Sequence, residues 1–124
     1  MPLPAHLTVV AEQSTWLRPL CRPERSAVIA PAELRTYQAR QCLFQQGDQP
    51  DGLLMVLTGQ VRSWSHDPGG AAVTLKLLSA GDLVGCIASW AGRPQPANAT
   101  ASTRVDALWW TSPTLDELQW RYPA

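Results

Sequence analysis

A mainly β domain, a sandwich or barrel of short strands with a few flanking helices, is the fold class that this 124-residue sequence predicts. Three observations carry the prediction. Turn signals recur down the middle of the chain, at Thr58-Gly59, Asp67-Pro68-Gly69-Gly70 and Ser79-Ala80-Gly81-Asp82. The apolar runs between them, Leu53 to Leu57, Val61 to Trp64 and Val73 to Leu78, are too short for helices. Strands punctuated by Gly and Asp at intervals of about 8–12 residues are the pattern of all-β folds. Helical periodicity is confined to the two ends.

The elements follow in order. Residues 1–33 read as a helical cap on the sheet. Leu7, Val10 and Ala11 recur at helical spacing, and Ser14, Trp16, Leu17, Leu20 and Cys21 continue the stripe. Pro19, Pro23 and Pro31 divide this region into one or two short helices. The β region begins at Leu34, where alternation places Leu34, Thr36 and Gln38 on one face and Arg35, Tyr37 and Ala39 on the other. Cys42-Leu43-Phe44 is a second short strand, and Gln46 to Gly52 a turn. Leu53 to Leu57 reads as a strand buried on both faces. Thr58-Gly59 predicts a tight hairpin, with Gly59 free to take positive φ and Gln60 to His66 as the returning partner. Asp67 to Gly70 turns the chain into Ala72–Leu78, where Val73, Leu75 and Leu77 share a face. After Gly85 the residues Cys86 to Trp90 suit one helical turn, and Gly92, Pro94 and Pro96 an irregular loop. Ala97–Ala101 and Val105–Trp110 return to strand, completing a β unit over residues 34–111. Residues 112–124 start a helix with Ser112 as N-cap, Pro113 in first position, Asp116 and Glu117 in its first turns, and Leu115, Leu118 and Tyr122 along one side.

Bulk properties narrow the function. Ten basic and ten acidic residues give zero net charge, without a run of either sign, whereas direct nucleic-acid binding needs a concentrated basic surface. No apolar stretch approaches the roughly 20 residues that span a bilayer, and Met1 to His6 lacks the pattern of a secretory signal. A cytoplasmic location without membrane contact is expected. Cys21, Cys42 and Cys86 are far apart, as are His6 and His66, so the expectation is no bound metal and three reduced thiols that act mostly as small apolar groups. No Ser/His/Asp set or carboxylate pair stands at plausible spacing, and an enzyme is not expected. Trp64, Trp90, Trp109 and Trp110 could line a pocket, although Trp in such folds more often serves the core or rim.

Gln46-Gly47-Asp48, Asp51-Gly52-Leu53, Val56 to Arg62 and Leu78 to Gly85, taken together, resemble the cyclic-nucleotide-binding fold. More narrowly, they resemble the sensor domain of bacterial Crp/Fnr-type transcription regulators. The likeness runs from about Leu34 to Leu118 and rests on the glycine spacing from Gly47 through Gly59 and Gly81 to Gly85. It implies an eight-stranded jelly-roll (double-stranded β-helix) barrel with short flanking helices.

It also implies a phosphate-binding cassette after Gly85, in which a Glu holds the ribose hydroxyl and an Arg, with helix-start N–H groups, holds the cyclic phosphate. Counted without a gap, this sequence puts Cys86 at the Glu, Gln95 at the Arg and Pro96 at the Ser/Thr, while Ala97 matches the Ala. Gln95 offers only neutral hydrogen bonds, Pro96 has neither hydroxyl nor N–H, and a thiol accepts poorly from a sugar hydroxyl. Arg93 lies two residues upstream, in a loop stiffened by Pro94 and Pro96. The degenerate site thus comprises Gly85, Cys86, Ile87, Ala88, Arg93, Gln95, Pro96 and Ala97. The expectation is a small-molecule-sensing regulatory domain of a Crp/Fnr-type transcription regulator that does not bind cAMP tightly, with no cofactor and no haem. DNA is expected as a partner only through a helix-turn-helix domain missing from these residues, as is the dimerisation helix of the family; a homodimer is a possible assembly. The alternatives are a stand-alone protein-interaction module with an occluded pocket and, third, a metal cupin, which His66 alone does little to support.

Overall fold

The computed structural model of the protein describes residues 4–14, 16–49, 51–84 and 93–121, with side chains to residue 118. Two short helices lead, α1 (Ala5–Glu12) and α2 (Arg22–Ile29). Eight strands follow: β1 (Glu33–Tyr37), β2 (Cys42–Phe44), β3 (Gly52–Thr58), β4 (Val61–His66), β5 (Ala72–Leu78), β6 (Leu83–Val84), β7 (Asn98–Ala101) and β8 (Val105–Thr111). A helix, α3 (Ser112–Arg121), ends the described chain. The prolines act as expected: Pro23 stands in the first turn of α2, where its missing N–H costs nothing.

The strands form two four-stranded antiparallel sheets, ordered β1-β8-β3-β6 and β2-β7-β4-β5. This is the jelly-roll arrangement, with consecutive strands alternating between layers except at β4 and β5, which share a sheet. Among the described residues the two sheets are not joined by hydrogen bonds into a closed barrel, so the architecture is a sandwich. The core lies between them, built from Leu54, Val56, Val84, Val105 and Ala107 of the first sheet against Val61, Leu78, Ala99 and Ala101 of the second. A second cluster fills the outer face of the first sheet, where Met55, Leu57, Leu108 and Trp110 pack against Leu7 and Ala11 of α1, Leu17 and Ile29. Leu115 and Leu118 of α3 join it. β3 is therefore buried on both faces from Gly52 to Leu57, as its unbroken apolar run requires.

Three local expectations are corrected. Thr58-Gly59 does not close a hairpin: β3 pairs with β6 and β8, β4 with β5 and β7. Gly59, at φ +84°, instead carries the chain from one sheet to the other, and a Cβ there would run into the Arg104 carbonyl. The β4–β5 hairpin does form, around Asp67, whose Oδ1 accepts from the Ala71 N–H at 2.9 Å. Within it, a register shift after Ser63 leaves Leu75 without a Cα partner. Leu77 then sits beside Arg62 and Val73 beside Ser65, so the bulge breaks the common face expected for Val73, Leu75 and Leu77. Finally, α3 begins one residue early. Its cap is Thr111, whose Oγ1 accepts from the Thr114 N–H at 3.4 Å, and Ser112 lies inside the helix. Tyr122 lies outside the described residues.

The turn at Ser79–Asp82 docks on β3 and on the N-terminal cap. The Gly81 N–H donates to the Val56 carbonyl at 2.7 Å, and the buried Ser14 hydroxyl donates to the Gly81 carbonyl at 2.7 Å. No helix among the described residues is long and apolar enough to cross a membrane.

Candidate functional site

At one end of the sandwich the two layers part around a cavity of about 450 Å³. β1 contributes Arg35 and Tyr37, the face that alternation had separated from Leu34. From β8 comes Trp109, from β3 Gly52 and Leu54, from β6 Val84, and from β2 Leu43 and Phe44. The β2–β3 loop adds Asp48, Gln49 and Asp51, and Gln95 completes the described wall.

Each polar group is placed by local structure. The Arg35 guanidinium lies over the Trp109 ring, 4.3 Å from its centroid, a cation–π contact that fixes both side chains. Trp109 can lie there because residue 52 is Gly; a Cβ on it would come within 2.7 Å of the indole. Asp48 Oδ2 accepts from the Gln45 N–H at 2.8 Å, and Asn98 Oδ1 accepts from the Gln46 N–H at 2.9 Å, which holds the loop against β7. The backbone of Gln95 is clamped to the same loop: its N–H donates to the Asp48 carbonyl at 2.8 Å and its carbonyl accepts from the Gly47 N–H at 2.9 Å. This clamp buries the Gln95 side chain, 5% exposed, and its Oε1 finds no hydrogen-bond partner among the described residues.

The electrostatic balance of the described wall is acidic, with the carboxylates of Asp48 and Asp51 against the single guanidinium of Arg35. The neighbouring Cys42 thiol reports that field. Burial first, and the negative charge of Asp48 second, hold its pKa above the ordinary thiol value.

Of the residues singled out from the sequence, Gln95 lines the cavity, Ala97 two residues on is buried, and Arg93 and Pro96 are exposed and do not line it. Gly85, Cys86, Ile87, Ala88 and Trp90 lie outside the described residues. Of the remaining tryptophans proposed for a pocket, Trp109 lines the cavity. Trp110 belongs to the outer core, donating from Nε1 to the Val28 carbonyl at 2.7 Å. Trp64 donates from Nε1 to Thr100 Oγ1 at 3.0 Å on the second sheet. Arg35, Tyr37, Asp48 and Asp51 were not foreseen as wall residues. The alternation in Leu34–Ala39 was the available signal for the first two. Among the described residues no three His, Cys, Asp or Glu side chains converge as a metal site would require.

A sequence model of the cyclic nucleotide-binding domain matches residues 34–121, which include the whole sandwich after the first residue of β1. The chain belongs to the cyclic nucleotide-binding domain family. Solved structures agree on the fold. The catabolite activator protein of Thermus thermophilus superposes with a TM-score of 0.79 at 28% identity, over 84% of this chain and 49% of its own. The N-terminal domain of a transcriptional regulator from Streptomyces coelicolor A3(2) superposes at 0.82 with 24% identity, over 92% and 80%. A cyclic nucleotide-binding-like protein from Brucella abortus superposes at 0.72 with 17% identity, over 90% and 95%. The chain spans about half the length of the first structures it matches. No protein of curated function matches it in sequence.

Proposed function

We propose that this cyclic nucleotide-binding-type domain is the small-molecule-sensing part of a transcription regulator of the Crp/Fnr kind, and that its effector is not a cyclic nucleotide. The observation that carries the reading is Gln95. By the gapless count it stands where the family's phosphate-binding Arg would be, and it lies in the cavity wall with a carbonyl oxygen where a cyclic phosphate needs a cation. Asp48 and Asp51 on the same wall add repulsion toward an anion. Support for the regulatory role comes from the catabolite activator protein and the transcriptional regulator domain that the chain resembles. In this reading the domain has no catalytic step, cofactor or haem, and it works in the cytoplasm. It reaches DNA through a separate DNA-binding domain and dimerises as such regulators do.

The test is calorimetric titration of the protein with cAMP and cGMP, alongside an absorption spectrum of the purified chain. The expected result is no saturable heat and no Soret band, with cAMP binding gained in the double variant Cys86→Glu, Gln95→Arg. Micromolar cAMP binding to the unaltered protein would overturn the effector assignment.

A further inference from the structure

The proposed effector site also carries information about what it would accept. Three features converge on the cavity. Among the described residues Gln95 Oε1 is a buried acceptor without a partner, and leaving such a group unpaired is costly until a donor arrives. Asp48 and Asp51 outnumber the single described cation, and among the described residues Arg35 stacks on Trp109 and forms no ion pair with either of them. The remaining wall carries aromatic rings, Trp109 and Phe44 from opposite sheets with Tyr37, beside the aliphatic Leu43, Leu54 and Val84. An anionic ligand would meet unfavourable charge and an acceptor facing an acceptor. A cation bearing N–H groups would satisfy both at once, since hydrogen bonds from a charged donor are roughly twice as strong as neutral ones.

We infer that the cavity binds a small, flat, nitrogen-rich cation, of the amidine, guanidine or arylamine class, whose N–H groups donate to Gln95 Oε1 under the field of Asp48 and Asp51. The inference rests on the reading of this cavity as the effector site. Position 95 then sets the sign of the ligand: an Arg there selects an anion, a Gln on a wall with two carboxylates selects a donor.

The experiment uses an isosteric pair of opposite charge, benzamidine and benzoate, with cAMP as third probe, each titrated into the whole chain at pH 7 and low salt. Calorimetry and tryptophan fluorescence read the binding, Trp109 being the reporter in the wall. Benzamidine is expected to bind saturably and raise the melting temperature, and benzoate to do neither. Gln95→Leu should weaken benzamidine roughly tenfold or more, the loss of a hydrogen bond to a charged donor. Asp48→Asn should weaken it less and flatten its salt dependence, which keeps the inference testable if the first variant folds poorly. Equal binding of benzamidine to Gln95→Leu and the unaltered protein would overturn the inference. So would saturable binding of benzoate or cAMP without benzamidine, although the effector site itself would then stand. Silence of all three probes would overturn the inference and leave the reading of the cavity as the effector site in place.

Discussion

The two sheets use similar apolar runs to opposite ends. β3, Gly-Leu-Leu-Met-Val-Leu-Thr, lies inside its sheet between β8 and β6, with the core on one side and the helical cap on the other. β5, Ala-Val-Thr-Leu-Lys-Leu-Leu, carries nearly as many aliphatic side chains but forms the edge of its sheet, and Leu75 and Leu77 remain 57% and 54% exposed. Hydrophobic content is thus a weak guide to burial here. Position in the strand order and the presence of a covering layer decide it, and the described helices cover only the first sheet. The Lys76 side chain and the bulge at Leu75 are the devices that keep an exposed edge from pairing with other chains.

The largest expected effect tests the covered face. Trp110→Ala removes the biggest fully buried side chain among the described residues and its hydrogen bond to the Val28 carbonyl, a tie between β8 and α2. Urea unfolding followed by circular dichroism should show a loss of about 3–5 kcal/mol. A loss near 1 kcal/mol would mean that the helical cap adds little to the sheet beneath it. The sharper comparison is a matched pair. Leu57→Ala, on the covered face of β3, should cost about 2–5 kcal/mol. Leu75→Ala, the same chemical change on β5, should stay within about 0.5 kcal/mol. Equal costs would show that the edge strand is covered in solution by something the chain alone does not provide. A smaller effect tests the junction with α3: Thr111→Ala should cost about 0.5–2 kcal/mol and Ser112→Ala distinctly less, because Thr111 is the residue that caps.

Much of the sandwich was legible in the sequence, for reasons specific to each part. The run Leu53 to Leu57 announced a strand buried on both faces, because no alternation was left to mark a wet side. Asp67 to Gly70 announced a hairpin, because an Asp side chain and a Gly at positive φ are what such a turn uses. The pairing of β3 was not legible. A Gly at positive φ serves equally well to reverse a chain within one sheet or to pass it to another. What chooses between them at Gly59 is a contact with Arg104, 45 positions away, and local periodicity holds no information about it. The site divides in the same manner. Gln95 could be placed by its spacing from Gly85. Asp48 and Asp51 could not, since a turn rich in Asp and Gly looks the same whether it faces solvent or a cavity.

The last prediction concerns the other edge of the second sheet, β2, where Cys42 stands close to the acidic loop. A thiol whose pKa is raised in the folded state holds its proton more tightly there than in the unfolded chain. Its contribution to stability is therefore fully present below the unfolded thiol pKa and is lost as pH rises through the folded value. Because the thiolate is the reactive form, iodoacetamide should label Cys42 more slowly in the folded protein than in urea at pH 8, read peptide by peptide by mass spectrometry. Asp48→Asn removes the second cause of the shift and leaves the first, so labelling should speed up yet remain slower than in urea. If the variant changes nothing, the charge of Asp48 is neutralised in solution. β2 would then no longer differ from β5 in feeling the acidic wall, and the electrostatic argument for a cationic ligand would weaken with it.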